Sequence, residues 1–203
     1  MKKNNKAFCT IVIIAINVIV FALMSIVGST QNTNFLYECG GMYVPAVLKD
    51  GEFYRVITHM FLHSGYQHIF YNMIMLGAVG LTLEEKIGHI KFLIIYFIGG
   101  IGATAMSGWY DIARNSYDIA RNSYPVGVGA SGAIMAVFGA LMITTVKDSR
   151  RNKSVELRRT LIVLAIMVLG NTGPGVDWMA HLGGAVTGVI LGLLLYRGRE
   201  ARG

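Results

Sequence analysis

Charge is scarce in this chain. Only 14% of its 203 residues are Asp, Glu, Lys or Arg, where soluble domains carry about a quarter. That shortage argues against a solvated globular surface, and with 54% apolar residues the composition is that of a membrane protein. A length that would make one soluble domain is instead consumed by crossings of roughly 20 apolar residues each, so a single membrane domain is the economical organisation. Cysteine is scarcer still. Cys9 opens the first apolar stretch and Cys39 follows it in the next loop, so the membrane keeps the two apart and no disulfide framework is expected. Acidic residues are outnumbered 11 to 18, leaving a net charge of +7. The basic residues fall in short clusters between apolar stretches, not on one face with interleaved aromatics, which argues against nucleic acid as a partner.

A cleavage signature is also missing. Three lysines in 1–6 precede an apolar run over 8–27, which is longer than the about 7–15 residues of a signal-peptide core and lacks a small-x-small site after it. The run is read as a retained first span with the N-terminus inside.

What is present is a succession of six apolar stretches, at about 8–27, 66–86, 90–108, 128–146, 159–171 and 178–196, predicting an all-α membrane bundle of six transmembrane helices. With both termini cytoplasmic, fourteen of the eighteen basic residues fall inside, and only Lys49, Arg55, Arg114 and Arg121 lie outside. This satisfies the positive-inside rule, and an odd number of spans does not. The fifth stretch is short, extended by 155–159 or held as a partial span by its neighbours. Glycines at Gly77, Gly80, Gly99, Gly102, Gly184, Gly188 and Gly192 suit close helix packing. The heptapeptide YDIARNS occurs twice in tandem, at 110–116 and 117–123. Each copy is too short to be a structural unit, so the duplication is read as a lengthened outer loop.

Polar side chains at membrane depth are costly and are retained for chemistry or interhelical bonding. Four stand out inside these stretches: His68, Asn72, Ser131 and His181. The charge-derived topology makes the second, fourth and sixth spans all begin at the outer surface, and each of the four residues lies within about two turns of such a beginning. They are expected at one depth. A serine and a histidine on different helices at one level can form a nucleophile and general base. His68 and Asn72, spaced i, i+4, share a face from which both can donate to an oxyanion. The glycine-rich approach Gly127-Val128-Gly129-Ala130 leads into Ser131 at a helix start, where the serine amide is a further oxyanion donor. No acidic residue sits in an obvious orienting position beside His181, with Asp177 expected at the loop edge, so a dyad is favoured over a triad. His59, His63 and His68 lie close together, but no Cys or carboxylate completes a metal set. Hydrogen bonding beneath the outer loop is the expected role of His59 and His63. A transporter or proton channel would also use intramembrane histidines, but the inverted repeat with paired broken helices is missing.

Taken in order, these motifs resemble the rhomboid family of intramembrane proteases over 52–196. Glu52-Phe53-Tyr54-Arg55 is similar to its first-loop signature, with Tyr54 where Trp is usual. His68-Ile69-Phe70-Tyr71-Asn72 matches HxxxN, and Gly80, Glu84 and Gly88 match GxxxExxxG. Gly129-Ala130-Ser131-Gly132 matches the nucleophile motif, and Ala180-His181 with Gly184 and Gly188 matches AHxxGxxxG. The resemblance implies a six-helix core and cofactor-free peptide-bond hydrolysis, with no metal. It implies Ser131 as nucleophile, His181 as base, and an oxyanion site from His68, Asn72 and the Ser131 amide. It also implies single-span membrane proteins as substrates, cut near the outer ends of their helices. The lipid bilayer is the surrounding partner, and a bacterial plasma membrane with an active site open to the outer face is the expected setting. One departure is Met135, four residues after the serine, where the family often carries an aromatic against the catalytic histidine. Methionine can touch an imidazole but orients it less firmly.

Overall fold

A computed structural model describes residues 7–113, 126–148, 158 and 176–198. The helices run in the order α1 (Phe8–Val27), α2 (Thr33–Glu38), α3 (Val44–Lys49), α4 (Arg55–Thr58), which passes into a single 3-10 turn at His59–Phe61, then α5 (Gly65–Ile87), α6 (His89–Ala113), α7 (Ser131–Asp148) and α8 (Trp178–Leu195). Among the described residues the only β pairing is an isolated bridge between Met42 and Gly127.

Five of the predicted spans coincide with the five long helices. The third runs five residues further than expected, to Ala113, and the fourth begins three residues later, at Ser131. The predicted fifth span at 159–171 and most of the duplicated heptapeptide lie outside the described residues. By length and composition α1, α6, α7 and α8 can each cross a membrane. The 23 residues of α5 are long enough, but Gln67, His68 and Asn72 at one end and Glu84, Glu85 and Lys86 at the other dilute its apolar character.

α7 is the central helix. Of its most apolar stretch 61% is buried, against 28% for α1 and for α8, whose large exposed side chains, such as Ile19 and Leu194, suit contact with lipid. Small residues bring α7 and α8 together backbone to backbone. A Cβ on Gly184 would overlap the Gly132 carbonyl, one on Gly188 the Ala136 carbonyl, and one on Gly192 would lie 3.0 Å from the Ala140 Cα. Two rows of small residues spaced by four therefore face each other in register, the close approach that packs membrane helices in place of a hydrophobic driving force. On another face of α7, a Cβ on Gly99 of α6 would overlap Ala136.

At the end of α5 away from His68 and Asn72, Gly88 (φ +87°) stops the helix by returning its N–H to the Glu84 carbonyl, 2.8 Å away, and α6 follows at once. Glu84 is fully buried. Its Oε2 accepts from the Thr10 amide at 2.7 Å and the Thr10 hydroxyl at 2.6 Å, and its Oε1 accepts from the Cys9 amide at 2.8 Å and from His89. Those two amides belong to the first turn of α1, whose N–H groups have no acceptor within the helix. A buried carboxylate thus caps α1 from across the bundle and benefits from the helix dipole. Cys9, Glu84 and His89 offer ligand atoms within 4.8 Å of one another, yet the lone pairs of Glu84 are already occupied by protein donors, so the cluster is a capping knot.

At the opposite end of the bundle Arg55, 3% exposed, ties the loop together. Its Nε pairs with Glu52, its Nη1 donates to the carbonyls of Tyr37 (2.6 Å) and Gly41 (2.9 Å), and its guanidinium lies 4.1 Å from the centre of the Tyr37 ring. These contacts give the Glu52-Phe53-Tyr54-Arg55 motif a physical role: it fixes the layer above the spans.

Candidate active site

The segment leading to Ser131 is held on both sides. Gly127 pairs with Met42 through N–H···O bonds of 2.8 and 2.9 Å, and the Gly129 amide donates to the His59 carbonyl at 2.9 Å. Gly129 has φ +122°, a conformation closed to other residues, and a Cβ there would sit 2.8 Å from His68 Nε2. The chain then turns into α7 with Ser131 as its first residue, so the Ser131 amide has no acceptor within the helix and lies at its positive end.

His181 lies in the first turn of α8, 8% exposed, one turn before the Gly184 contact with Gly132. The small-residue packing thereby sets Ser131 and His181 at one level. Asp177 is more than a loop-edge residue: it is the N-cap of α8, accepting the Ala180 amide at 2.8 Å and the hydroxyl of Ser107 from α6. The cap locks the end of the helix that carries His181.

His68 Nδ1 accepts the Ser64 amide at 3.3 Å. A neutral imidazole has one donor and one acceptor nitrogen, so the proton belongs on Nε2, the atom facing Gly129 just before the serine. Asn72, 4% exposed, donates one amide hydrogen to the His68 carbonyl at 2.9 Å and keeps the other.

Ser131, His181 and Asn72 line one small cavity with Tyr71, Met75, Ile134 and Met135. Its volume of about 10 Å³ is the space of roughly one water. Ser131, His181 and His68 also line a larger cavity of about 1030 Å³, walled by residues of the segment 31–44, the C-terminal part of α6 and the N-terminal end of α8. The four predicted residues therefore gather around two adjoining cavities. No hydrogen bond joins the Ser131 and His181 side chains here, in keeping with catalytic contacts that tighten only when substrate binds.

His59 bonds as expected, its Nε2 lying 2.9 Å from the Thr104 hydroxyl. His63 does not. Fully buried, it makes no hydrogen bond of good geometry from either ring nitrogen, and it packs edge-to-face on His68 with ring centres 5.1 Å apart. Burial pushes the His59 imidazole down to about 4 and that of His63 to about 3. Among the described residues, His59, His63 and His68 form no ligand cluster. The residue that sequence reasoning missed is Trp178, whose indole meets the His181 ring edge-to-face at 6.0 Å and 75°. Its place three residues before His181 on one helix was the available signal.

The family model described as the Rhomboid domain matches residues 50–198, from the outer-loop motif to the end of α8. RHOMBOID-like protein 1 of Arabidopsis thaliana is 31% identical over 161 residues, covering 78% of this chain and 39% of that protein. The Rhomboid protease AarA of Providencia stuartii is 27% identical over 201 residues, covering 91% and 71%, and the Rhomboid protease GluP of Bacillus subtilis 29% over 191 residues, covering 92% and 34%. The chain thus spans about two fifths of the length of the first of these relatives. With a matched domain over most of its length, and His68, Asn72, Ser131 and His181 from three helices gathered at one end of a multi-pass membrane bundle, the chain belongs to the rhomboid family.

Proposed function

We propose that this protein is a serine endopeptidase that hydrolyses peptide bonds in or near the transmembrane segments of other membrane proteins. The observation that carries the reading is the meeting of Ser131, His181 and Asn72 around one cavity, which adjoins a larger cavity shared with His68.

In the proposed reaction, His181 takes the Ser131 proton as Oγ attacks the scissile carbonyl, and returns it to the departing amine. The oxyanion is met by the Ser131 amide, by His68 Nε2–H and by the second amide hydrogen of Asn72. Water entering from the outer cavity then hydrolyses the acyl-enzyme, with His181 again as base. The residues of this scheme supply every proton transfer, and no cofactor or metal is called for. A helical substrate shields its own carbonyls by hydrogen bonding, so the segment must unwind to be cut. Single-span proteins with weak outer helix ends are the substrate class proposed. Six spans, both termini cytoplasmic and a bacterial plasma membrane complete the reading.

A fluorophosphonate label and cleavage of a model single-span substrate test it. Wild-type protein is expected to take the label at Ser131 and to cut. Ser131→Ala loses both, with kcat down on the order of 10⁴-fold or more, and His181→Ala does likewise. His68→Ala is expected to lower kcat about 10²-fold while KM moves little. Wild-type protein that neither labels nor cuts while controls do would end the protease reading.

A further inference from the structure

His181 needs lateral support that α7 does not provide. Met135 reaches the small cavity beside it, but an unbranched thioether with three rotatable bonds holds a ring loosely. On the other side stands Trp178. The two ring centres are 6.0 Å apart at 75°, within the range and orientation favoured by aromatic pairs. Trp178 is 49% exposed and His181 only 8%, and both line the large cavity. Its own position is secured, because it is the first residue of α8 and directly follows the Asp177 cap that binds Ala180 and Ser107.

We propose that Trp178 is a positioning residue for His181, an aromatic wall from the base's own helix that serves where α7 offers methionine. The inference rests on the Ser131 and His181 reading above. Its value to catalysis is differential. When His181 takes the serine proton it becomes a cation, and the proposed wall presents to it the indole face, which attracts a cation more strongly than a neutral ring. The contact is therefore strengthened in the transition state, which raises kcat more than it alters substrate binding.

The experiment uses the full chain in detergent with Trp109→Phe as background, leaving Trp178 as the one indole of an original two. Trp178→Ala is expected to lower kcat roughly 2- to 10-fold with KM nearly constant, and Trp178→Phe to keep most activity. Met135→Tyr should restore activity to Trp178→Ala by more than it raises the background enzyme, a coupling that a merely structural role does not produce. The spectroscopic readout is Trp178 emission against pH, which falls as the touching imidazole gains a proton. The other titratable groups around His181 and its cavities are His59, His68 and Tyr71, Tyr110 and Asp111 of α6, and Asp177 at the α8 cap; α7 presents no titratable side chain there. The inflection is expected to vanish in His181→Ala, where all of those remain. If Trp178→Ala fails to fold, the emission titration decides alone. An unchanged kcat in Trp178→Ala, or an inflection that survives His181→Ala, overturns the inference while an enzyme that labels and cuts keeps the protease reading intact. Failure of the enzyme to label at Ser131 strikes that reading instead, and the titration still reports on the contact itself.

Discussion

At the scale of single residues, the outer segment holds two imidazoles that folding deprives of water. Burial lowers His59 to about 4 and His63 to about 3, where an unfolded histidine titrates near 6.5. Between those values the unfolded chain binds more protons than the folded one, so stability rises with pH through this window and is lost as pH falls from about 6.5 toward 4. The thermal midpoint in detergent is expected to drop over that interval, by an amount corresponding to a few kcal/mol, with a shallower fall in His63→Phe. An equal fall in that variant would show that His63 is not the group responsible. His63→Phe is also expected to fold well, because His63 makes no good hydrogen bond to lose and an apolar ring of similar shape leaves no buried polar atom.

The same scale shows what the sequence could reveal. Ser131, His181, His68 and Asn72 stand out because they are polar in apolar surroundings, and cost at depth is visible in composition. The tautomer of His68 was not visible, since it depends on Ser64 offering an amide to Nδ1. Nor was the role of Trp178, because an aromatic near a helix start reads equally well as an interfacial anchor.

At the scale of elements, α1, α6 and α8 announce themselves by long apolar runs. α5 is diluted by the polar residues that make it useful, such as Glu84, whose partner Thr10 is remote in sequence. The start of α7 was misplaced by three residues because Gly129 holds an extended, left-handed turn where apolar content alone suggested helix. The packing rows make a sharp prediction. Gly188→Ala places a methyl on the Ala136 carbonyl and is expected to destabilise by about 1–3 kcal/mol, whereas Ile190→Ala, at a half-exposed site facing outward, should change stability little. Unfolding measured in mixed micelles or by steric trapping distinguishes the two, and equal effects would mean that the α7–α8 contact is not held by its backbones.

At the scale of the whole molecule, the positive-inside arrangement and the large cavity set the orientation. The proposed six spans with both termini inside would place that cavity on the outer face. Reporter fusions or cysteine labelling at the two termini and at Lys49 are expected to give inside, inside and outside; termini on opposite sides would require an odd number of spans. The proposed number six rests on the distribution of Lys and Arg, because the short stretch at 159–171 is ambiguous by length.

The glycine and alanine rows between α7 and α8 carry one more consequence. Main-chain atoms in contact, with no long side chains between them, leave almost no compliance along that seam. Thicker or thinner bilayers can tilt the bundle and alter how a client reaches it, but they have little leverage on the separation of Ser131 and His181. Sensitivity of this protein to its lipid environment is accordingly expected in how often a substrate arrives and unwinds, with the chemical step itself holding nearly the same rate from one membrane to another.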